Sequence, residues 1–164
     1  MTKINYPALI MDGEREMIEL GIPMKIHGFK YLSDALDFCL HQEELLTILT
    51  KGLYEKIADR NNVTSGSVET GIRRAIEAAW NDPSGRMKKY LPEHSGGVYT
   101  EKPTNGEFIS LLVWNRKKKY HLPEYGFING IHSSPSSFVA QDETCYTSDR
   151  EEEENDHKSR DSED

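Results

Sequence analysis

The chain lacks the residues and the apolar runs that mark several large classes of protein. It contains only two cysteines, Cys39 and Cys145, which are too few for the disulfide framework of a small secreted domain. No apolar run approaches the ~20 residues that span a bilayer, and the N-terminus lacks the apolar region and cleavage site of a signal peptide. We therefore expect two free thiols, no membrane contact and a cytoplasmic location.

Motifs for catalysis and metal binding are also missing. The six histidines are widely scattered, and the chain contains no C-x-x-C, H-E-x-x-H, G-x-S-x-G or G-x-x-x-x-G-K-[ST]. Cys39 and His41 stand two residues apart, a spacing that does not bring side chains together on a helix. We therefore expect no catalytic residue, no metal site, no cofactor and no enzymatic activity.

The charge of the chain is unevenly distributed. The net charge of −8 divides into −2 over residues 1–20, +3 over residues 21–122 and −9 over residues 123–164. The hydrophobic content of 36% is low for a globular protein. These shifts predict a short N-terminal extension (1–20), a mildly basic domain (21–122) and a disordered acidic tail (123–164).

Helical periodicity dominates the middle of the chain, and Gly, Pro and Asn separate the segments. A further short helix is expected over 13–20. The predicted main helices are 30–41, 43–50, 53–60, 65–80, 86–91 and 104–119.

The stretch LYEKIADRNNVTSGSVETGIRRAIEAAW, residues 53–80, indicates two helices joined by a tight polar turn, a helix-turn-helix. Asn61 and Asn62 suit the turn because Asn tolerates left-handed backbone. We expect Val63 to cover the turn against the core and either Thr64 or the next serine to cap the second helix.

The second helix of this pair has one apolar and one polar face. Gly71 lowers its helix stability by ~1 kcal/mol relative to Ala, which indicates a close packing neighbour. The apolar face, at helical spacing, consists of Val68, Ile72, Ala75, Ile76 and Ala79.

The polar face carries side chains suited to reading base edges. Arg73 can form two hydrogen bonds to guanine, Glu69 can accept from the cytosine amino group, and Ser67 and Thr70 can bond to either. In a helix-turn-helix the N-terminal residues of the second helix make such contacts. Periodicity alone also fits an ordinary surface helix.

Further polar residues could hold DNA phosphates. Two of the candidates, Lys117 and Lys118, lie near the end of the last helix. Cations at that end also stabilise the helix dipole, so a structural role is the alternative for both. The candidate phosphate contacts are Ser65, Arg74, Arg86, Lys88, Lys89, Lys117 and Lys118.

Four blocks in one order resemble the C-terminal effector domain of the stage-zero sporulation response regulator, over roughly residues 21–115. The blocks are GIPMKIHGFKYLSDAL, LTKGLYEKIADRNNVT, SVETGIRRAIEAAW and KPTNGEFISLL. The resemblance implies an all-α bundle of six helices whose third and fourth form the helix-turn-helix, in agreement with the helix count. It places the recognition helix at about 65–81, the base-reading glutamate at Glu69 and an arginine at Arg73.

The sequence departs from the family at two recognition positions. Ser67 and Thr70 stand where the family usually has Arg, and a lost Arg contact reduces base discrimination by ~1–3 kcal/mol. The TGTCGAA-like box of the family is therefore expected to be read weakly or in altered form. Only about 20 residues precede the match, so we expect a stand-alone effector domain without the receiver domain.

The sequence thus predicts a sequence-specific, double-stranded DNA-binding transcriptional regulator that is nucleoid-associated. Because the family tends to bind tandem boxes, a homodimer on DNA is also expected. The alternative is an interaction protein that does not bind DNA and modulates a full-length sporulation regulator or RNA polymerase. Ser67, Thr70 and the acidic tail favour that alternative, and the tail would weaken non-specific DNA binding in either case.

Overall fold

The structure, a computed structural model, describes residues 3–94 and 101–123. In these two ranges the predicted all-α class is confirmed, since six α-helices and no strand are present. The acidic tail, apart from its first residue, Pro123, lies outside the described residues. The helices are α1 (Tyr6–Glu19), α2 (His27–His41), α3 (Tyr54–Asn61), α4 (Ser65–Trp80), α5 (Arg86–His94) and α6 (Asn105–Lys119).

The segment between α2 and α3 differs from the predicted α-helix over 43–50. It forms a 3-10 helix, Glu43–Thr47, followed by a π-helical turn, Leu49–Leu53. Leu45 is buried as expected, but Ile48 is 50% exposed. Each of the two turns is only five residues long, which is too short for sequence periodicity to distinguish it from an α-helix.

Helix α1 is longer than the helix expected over 13–20 and belongs to the same bundle as the other helices. The Asn5 side chain caps it by accepting from the backbone N–H of Ala8 at 3.2 Å. Leu9 and Met17 are buried in the common core. Gly13 packs so closely on α2 that a Cβ there would overlap the Leu36 side chain.

Helices α2 and α4 cross at two glycines. A Cβ on Gly28 would overlap the carbonyl oxygen of Gly71, and a Cβ on Gly71 would lie 2.8 Å from the Tyr31 ring. The close neighbour expected from Gly71 is therefore present. The crossing sets the position of α4 on the rest of the bundle.

The core lies where all six helices meet. Its largest fully buried side chains include at least one from each helix. Among them are Met17, Leu32, Leu36, Ile57, Ile72, Ile76, Met87, Leu91 and Phe108.

Candidate nucleic-acid interface

Helices α3 and α4 and the turn between them form the predicted helix-turn-helix. Asn62 has left-handed backbone (φ 54°, ψ 46°), which Asn tolerates. The backbone N–H of Val63 donates to the Ala58 carbonyl at 3.1 Å. Thr64 caps α4, since its hydroxyl accepts from the backbone N–H of Ser67 at 3.1 Å.

Two details of the turn differ from the sequence prediction. Val63 is 37% exposed and does not cover the turn against the core. Asn61 is the last residue of α3, and its side chain donates to the Ile57 carbonyl at 2.8 Å and to Asp34 of α2 at 2.7 Å. Asn61 therefore joins α3 to α2, a contact that only the packing of the two helices reveals.

The apolar face of α4 is buried as predicted. Each of its five side chains is at most 1% exposed, and the face packs against α2, α3, α5 and α6. The opposite face is consequently the one that α4 presents to solvent. The buried residues are Val68, Ile72, Ala75, Ile76 and Ala79.

The predicted base-reading residues lie together on the solvent face of α4. The guanidinium of Arg73 lies 3.6 Å from the Glu69 carboxylate, and it also donates to the Thr70 hydroxyl at 3.4 Å. The side chains of Arg73 and Glu69 are 50% and 46% exposed. Ser67 is exposed near the start of the helix, with its hydroxyl 2.9 Å from that of Thr64. One turn of α4 thus presents a cation that contacts both an anion and a hydroxyl.

The residues that precede and begin α6 lie along the flank of α4. The Asn105 side chain donates to the Glu69 carbonyl at 3.0 Å and to the Tyr54 hydroxyl at 3.3 Å. The Lys102 ammonium donates to the Glu77 carboxylate at 2.8 Å. This hydrogen bond and the charge of Lys102 hold the pKa of Glu77 below its ordinary value.

Lys102 was not among the residues predicted from the sequence. It stands 25 positions from Glu77, and no local pattern links the two residues. The capping motif of Thr104 and Glu107 places Lys102 just before α6. It does not indicate which helix packs beside that segment.

Most of the predicted phosphate contacts are accessible in the structure. Arg74 and Lys89 are exposed, and Ser65 is half-buried in the first turn of α4. The Lys88 ammonium lies 5.2 Å from the centre of the Trp80 ring, a cation–π contact that holds it beside the end of α4.

Arg86, at the start of α5, is more constrained. It pairs with Asp82 at 3.2 Å and donates to the Ser84 hydroxyl at 3.0 Å. A Cβ on Gly21 would lie 3.1 Å from its guanidinium. The side chain is 51% exposed, so one side of the guanidinium still faces solvent.

Lys117 does not fit the predicted phosphate contact. Its side chain is 6% exposed and its ammonium pairs with Glu43 of the 3-10 helix. Its neighbour Arg116 is equally buried and pairs with two carboxylates of α1, Asp12 and Glu16. For Lys117 the prediction is corrected, because burial against an acidic neighbour takes its ammonium away from solvent.

The other two cations of this run are exposed. Lys119 pairs with Asp12 at 2.8 Å. The Lys118 ammonium lies 4.9 Å from the centre of the Trp114 ring, and no carboxylate of the described residues pairs with it. Of the four cations that end α6, Lys118 therefore has the position best suited to a phosphate.

A family model described as Sporulation initiation factor Spo0A C terminal matches residues 14–115, which is more than half of the chain. The chain belongs to this family. The resemblance inferred from the sequence is thereby confirmed, and the matched range contains the whole helix-turn-helix. The Spo0A C-terminal domain is the DNA-binding effector domain of a sporulation response regulator and acts in transcription regulation. It is not an enzyme family.

Two further structural findings concern the Spo0A C-terminal domain of this chain. In the ranges that the structure describes, no group of three His, Cys, Asp or Glu side chains is arranged to hold a metal ion. In the same ranges, no helix has the length and apolar character needed to cross a bilayer.

Proposed function

We propose that the chain is a sequence-specific transcriptional regulator that binds double-stranded DNA by placing α4 in the major groove. The observation that carries this proposal is the contact cluster of Glu69, Thr70 and Arg73 on the one face of α4 that packing leaves free. The 16 residues of α4 extend for about 24 Å. A major groove about 12 Å wide accommodates such a helix.

In this proposal the base contacts come from the N-terminal half of α4. Arg73 donates to guanine, and Glu69 accepts from the cytosine amino group. The contact of Arg73 with Glu69 restricts both side chains before DNA binds, which lowers the entropy cost of binding. Ser67 and Thr70 donate to or accept from neighbouring bases.

The phosphate contacts surround this cluster. Ser65 and Arg74 lie on α4 itself, whereas the others lie at the start of α5 and the end of α6. Since such contacts are independent of sequence, they position α4 without selecting the box. The proposed set from α5 and α6 is Arg86, Lys88, Lys89 and Lys118.

The proposal also covers the oligomeric state on DNA and the location in the cell. Family members tend to bind tandem boxes, which supports pairing of two copies on DNA. A regulator of this kind works on the chromosome, and we therefore place it at the nucleoid.

The first test is fluorescence anisotropy of the full chain with a labelled duplex carrying the TGTCGAA-like box and with a scrambled duplex. The titrations are made at about 50 mM and about 200 mM salt, because phosphate contacts weaken steeply over that range. A weak preference for the box at both salt concentrations is expected, because Ser67 and Thr70 replace two arginines of the family. Equal binding to the two duplexes, lost at the higher salt, would contradict base reading of this box.

Substitution at Arg73 is predicted to remove discrimination. Arg73→Ala should weaken binding to the box by about 1–3 kcal/mol, since one Arg–guanine contact is lost, while binding to the scrambled duplex changes little. Lys88→Ala is the matched control, and it should weaken binding to both duplexes alike and reduce the salt dependence. Equal losses on both duplexes for Arg73→Ala would rule out a base-reading role.

A second candidate function is favoured by the substitutions at Ser67 and Thr70 and by the acidic net charge of −8. It is modulation of a full-length sporulation regulator or RNA polymerase without DNA binding. Co-purification with such a partner, together with no DNA binding by residues 1–122, would support this function and exclude the first.

A further inference from the structure

The segment before α6 follows the flank of α4. Lys102 contacts Glu77, and Asn105 contacts the Glu69 carbonyl. The two positions on α4 are eight residues apart, or about 12 Å along the helix. The three-residue step from Lys102 to Asn105 spans about 10 Å when extended. The segment therefore runs antiparallel to α4 and places Lys102 beside its C-terminal half.

Glu77 belongs to the solvent face of α4 and not to its buried face. It follows Thr70 and Arg73 at the i, i+3, i+7 spacing of one helical stripe, and its side chain is 41% exposed. When the N-terminal half of α4 reads bases, the C-terminal half leaves the groove next to a phosphate strand. An unpaired carboxylate at that point would repel the phosphates.

We propose that Lys102 is part of the DNA-binding surface, where it neutralises Glu77 and donates to a phosphate beside the C-terminal half of α4. The inference rests on the proposed function, since it takes α4 as the helix that enters the groove. An ammonium group has three donors, and the described contacts use one of them on Glu77.

The backbone around Lys102 is held in place. Pro103 is buried. Thr104 forms a capping box with Glu107, in which the backbone N–H of Thr104 donates to the Glu107 carboxylate at 2.7 Å and the Thr104 hydroxyl accepts from the Glu107 N–H at 3.3 Å. The Lys102 side chain itself is 40% exposed. A fixed backbone that carries an accessible ammonium loses little conformational freedom when DNA binds.

The lowered pKa of Glu77 supports the pairing. Its first cause is the hydrogen bond from Lys102, followed by the charge of Lys102. The carboxylate is therefore ionised at neutral pH, and removing Lys102 would leave a negative charge on the face that meets DNA.

The test uses the full chain with four variants, Lys102→Ala, Glu77→Gln, the double variant and Lys3→Ala. Each is titrated against the box duplex and the scrambled duplex over a salt series. Lys3→Ala is the charge-matched control, because Lys3 is an exposed lysine at the start of the chain with no ion pair in the described residues. Circular dichroism and thermal unfolding confirm that each variant is folded.

Lys102→Ala is expected to weaken binding to both duplexes by about five- to tenfold and to reduce the salt slope by about one. Glu77→Gln should strengthen binding to both, and the double variant should fall between the two single variants. If Lys102→Ala binds like Lys3→Ala, the proposal is overturned. If the double variant binds like Glu77→Gln, Lys102 only screens the carboxylate and the phosphate contact is overturned.

Lys102→Ala is expected to change the affinity for both duplexes equally. This change can be measured even if wild type shows no preference for the box. If wild type shows no preference for the box, base reading by α4 is contradicted. The role of Lys102 is then still decided by comparing Lys102→Ala with Lys3→Ala.

Discussion

At the scale of single residues, two glycines with the same place in their helices have opposite surroundings. Gly28 and Gly66 are each the second residue of a helix, α2 and α4. A Cβ on Gly28 would overlap the backbone of α4, whereas a Cβ on Gly66 would meet no atom within 4 Å. The same substitution should therefore have opposite effects at the two positions.

Gly28→Ala is predicted to lower the free energy of unfolding by about 1–3 kcal/mol, because a backbone carbonyl cannot move aside as a flexible side chain can. Gly66→Ala, the matched control, should raise it by about 0.5–1 kcal/mol, since Ala loses less backbone entropy on folding. Urea unfolding followed by circular dichroism measures both values. A stabilised Gly28→Ala variant would show that the two helices are less closely packed than the structure has them.

At the scale of helices, charged side chains hold α1 on α6. Asp12 accepts hydrogen bonds from Lys119 and Arg116, and Glu16 accepts from Arg116 and, at 2.9 Å, from the side-chain amide of Asn115. Burial alone would raise the pKa of Asp12. The hydrogen bond from Lys119 and the charges of Arg116 and Lys119 outweigh it, so that the pKa lies below its ordinary value.

This shift predicts how the stability depends on pH. A carboxylate whose pKa is lower in the folded state stabilises the fold above its unfolded pKa of about 3.9. The contribution is lost as the pH falls through the lower folded pKa. Asp12→Asn should therefore reduce the free energy of unfolding by about 1–3 kcal/mol at neutral pH, and the difference from wild type should shrink in acid.

Urea unfolding of wild type and Asp12→Asn at about pH 7 and about pH 3 measures this difference. The control is Asp59→Asn, because Asp59 is exposed on α3 and has no ion pair in the described residues. It should differ little from wild type at either pH. An Asp12→Asn difference that is equally large at both pH values would show that the Asp12 charge does not hold α1.

At the scale of the whole molecule, the acidic tail and the rest of the chain have net charges of opposite sign. Residues 1–122 carry a net charge of +1, and residues 123–164 carry −9. Removing the tail should strengthen binding to the scrambled duplex more than binding to the box, because the non-specific part of the affinity is electrostatic. The gain should be largest at low salt, where charges beyond the first contacts are least screened.

The measurement is anisotropy with the full chain and with residues 1–122, at about 50 mM and about 200 mM salt. A full-length control in which Glu151, Glu152, Glu153 and Glu154 are replaced by Gln separates charge from chain length. Equal affinities of the three proteins for the scrambled duplex at low salt would exclude an electrostatic effect of the tail.

The arrangement of α4 was predictable because its determinants are local. The spacing of Val68, Ile72 and Ala79 identified the buried face, and a helix repeats every 3.6 residues whatever packs against it. The hydroxyl of Thr64 and the turn that ends α3 are short-range features of the same kind. The capping box of Thr104 and Glu107 at the start of α6 is another local feature, since only three positions separate the pair.

The roles of the cations were decided by tertiary structure. Lys117 and Lys118 are adjacent cations of one helix, yet Lys117 is buried and pairs with Glu43, 74 positions away, whereas Lys118 lies exposed over Trp114. Lys102 and Glu77 likewise meet only because α6 packs beside α4. The sequence by itself therefore determined most of the helices and the face of α4 that remains exposed, but not the 3-10 and π turns between α2 and α3 or the full length of α1. Helices distant in sequence decided which cations form ion pairs and which do not, since an ion pair forms wherever packing brings opposite charges together.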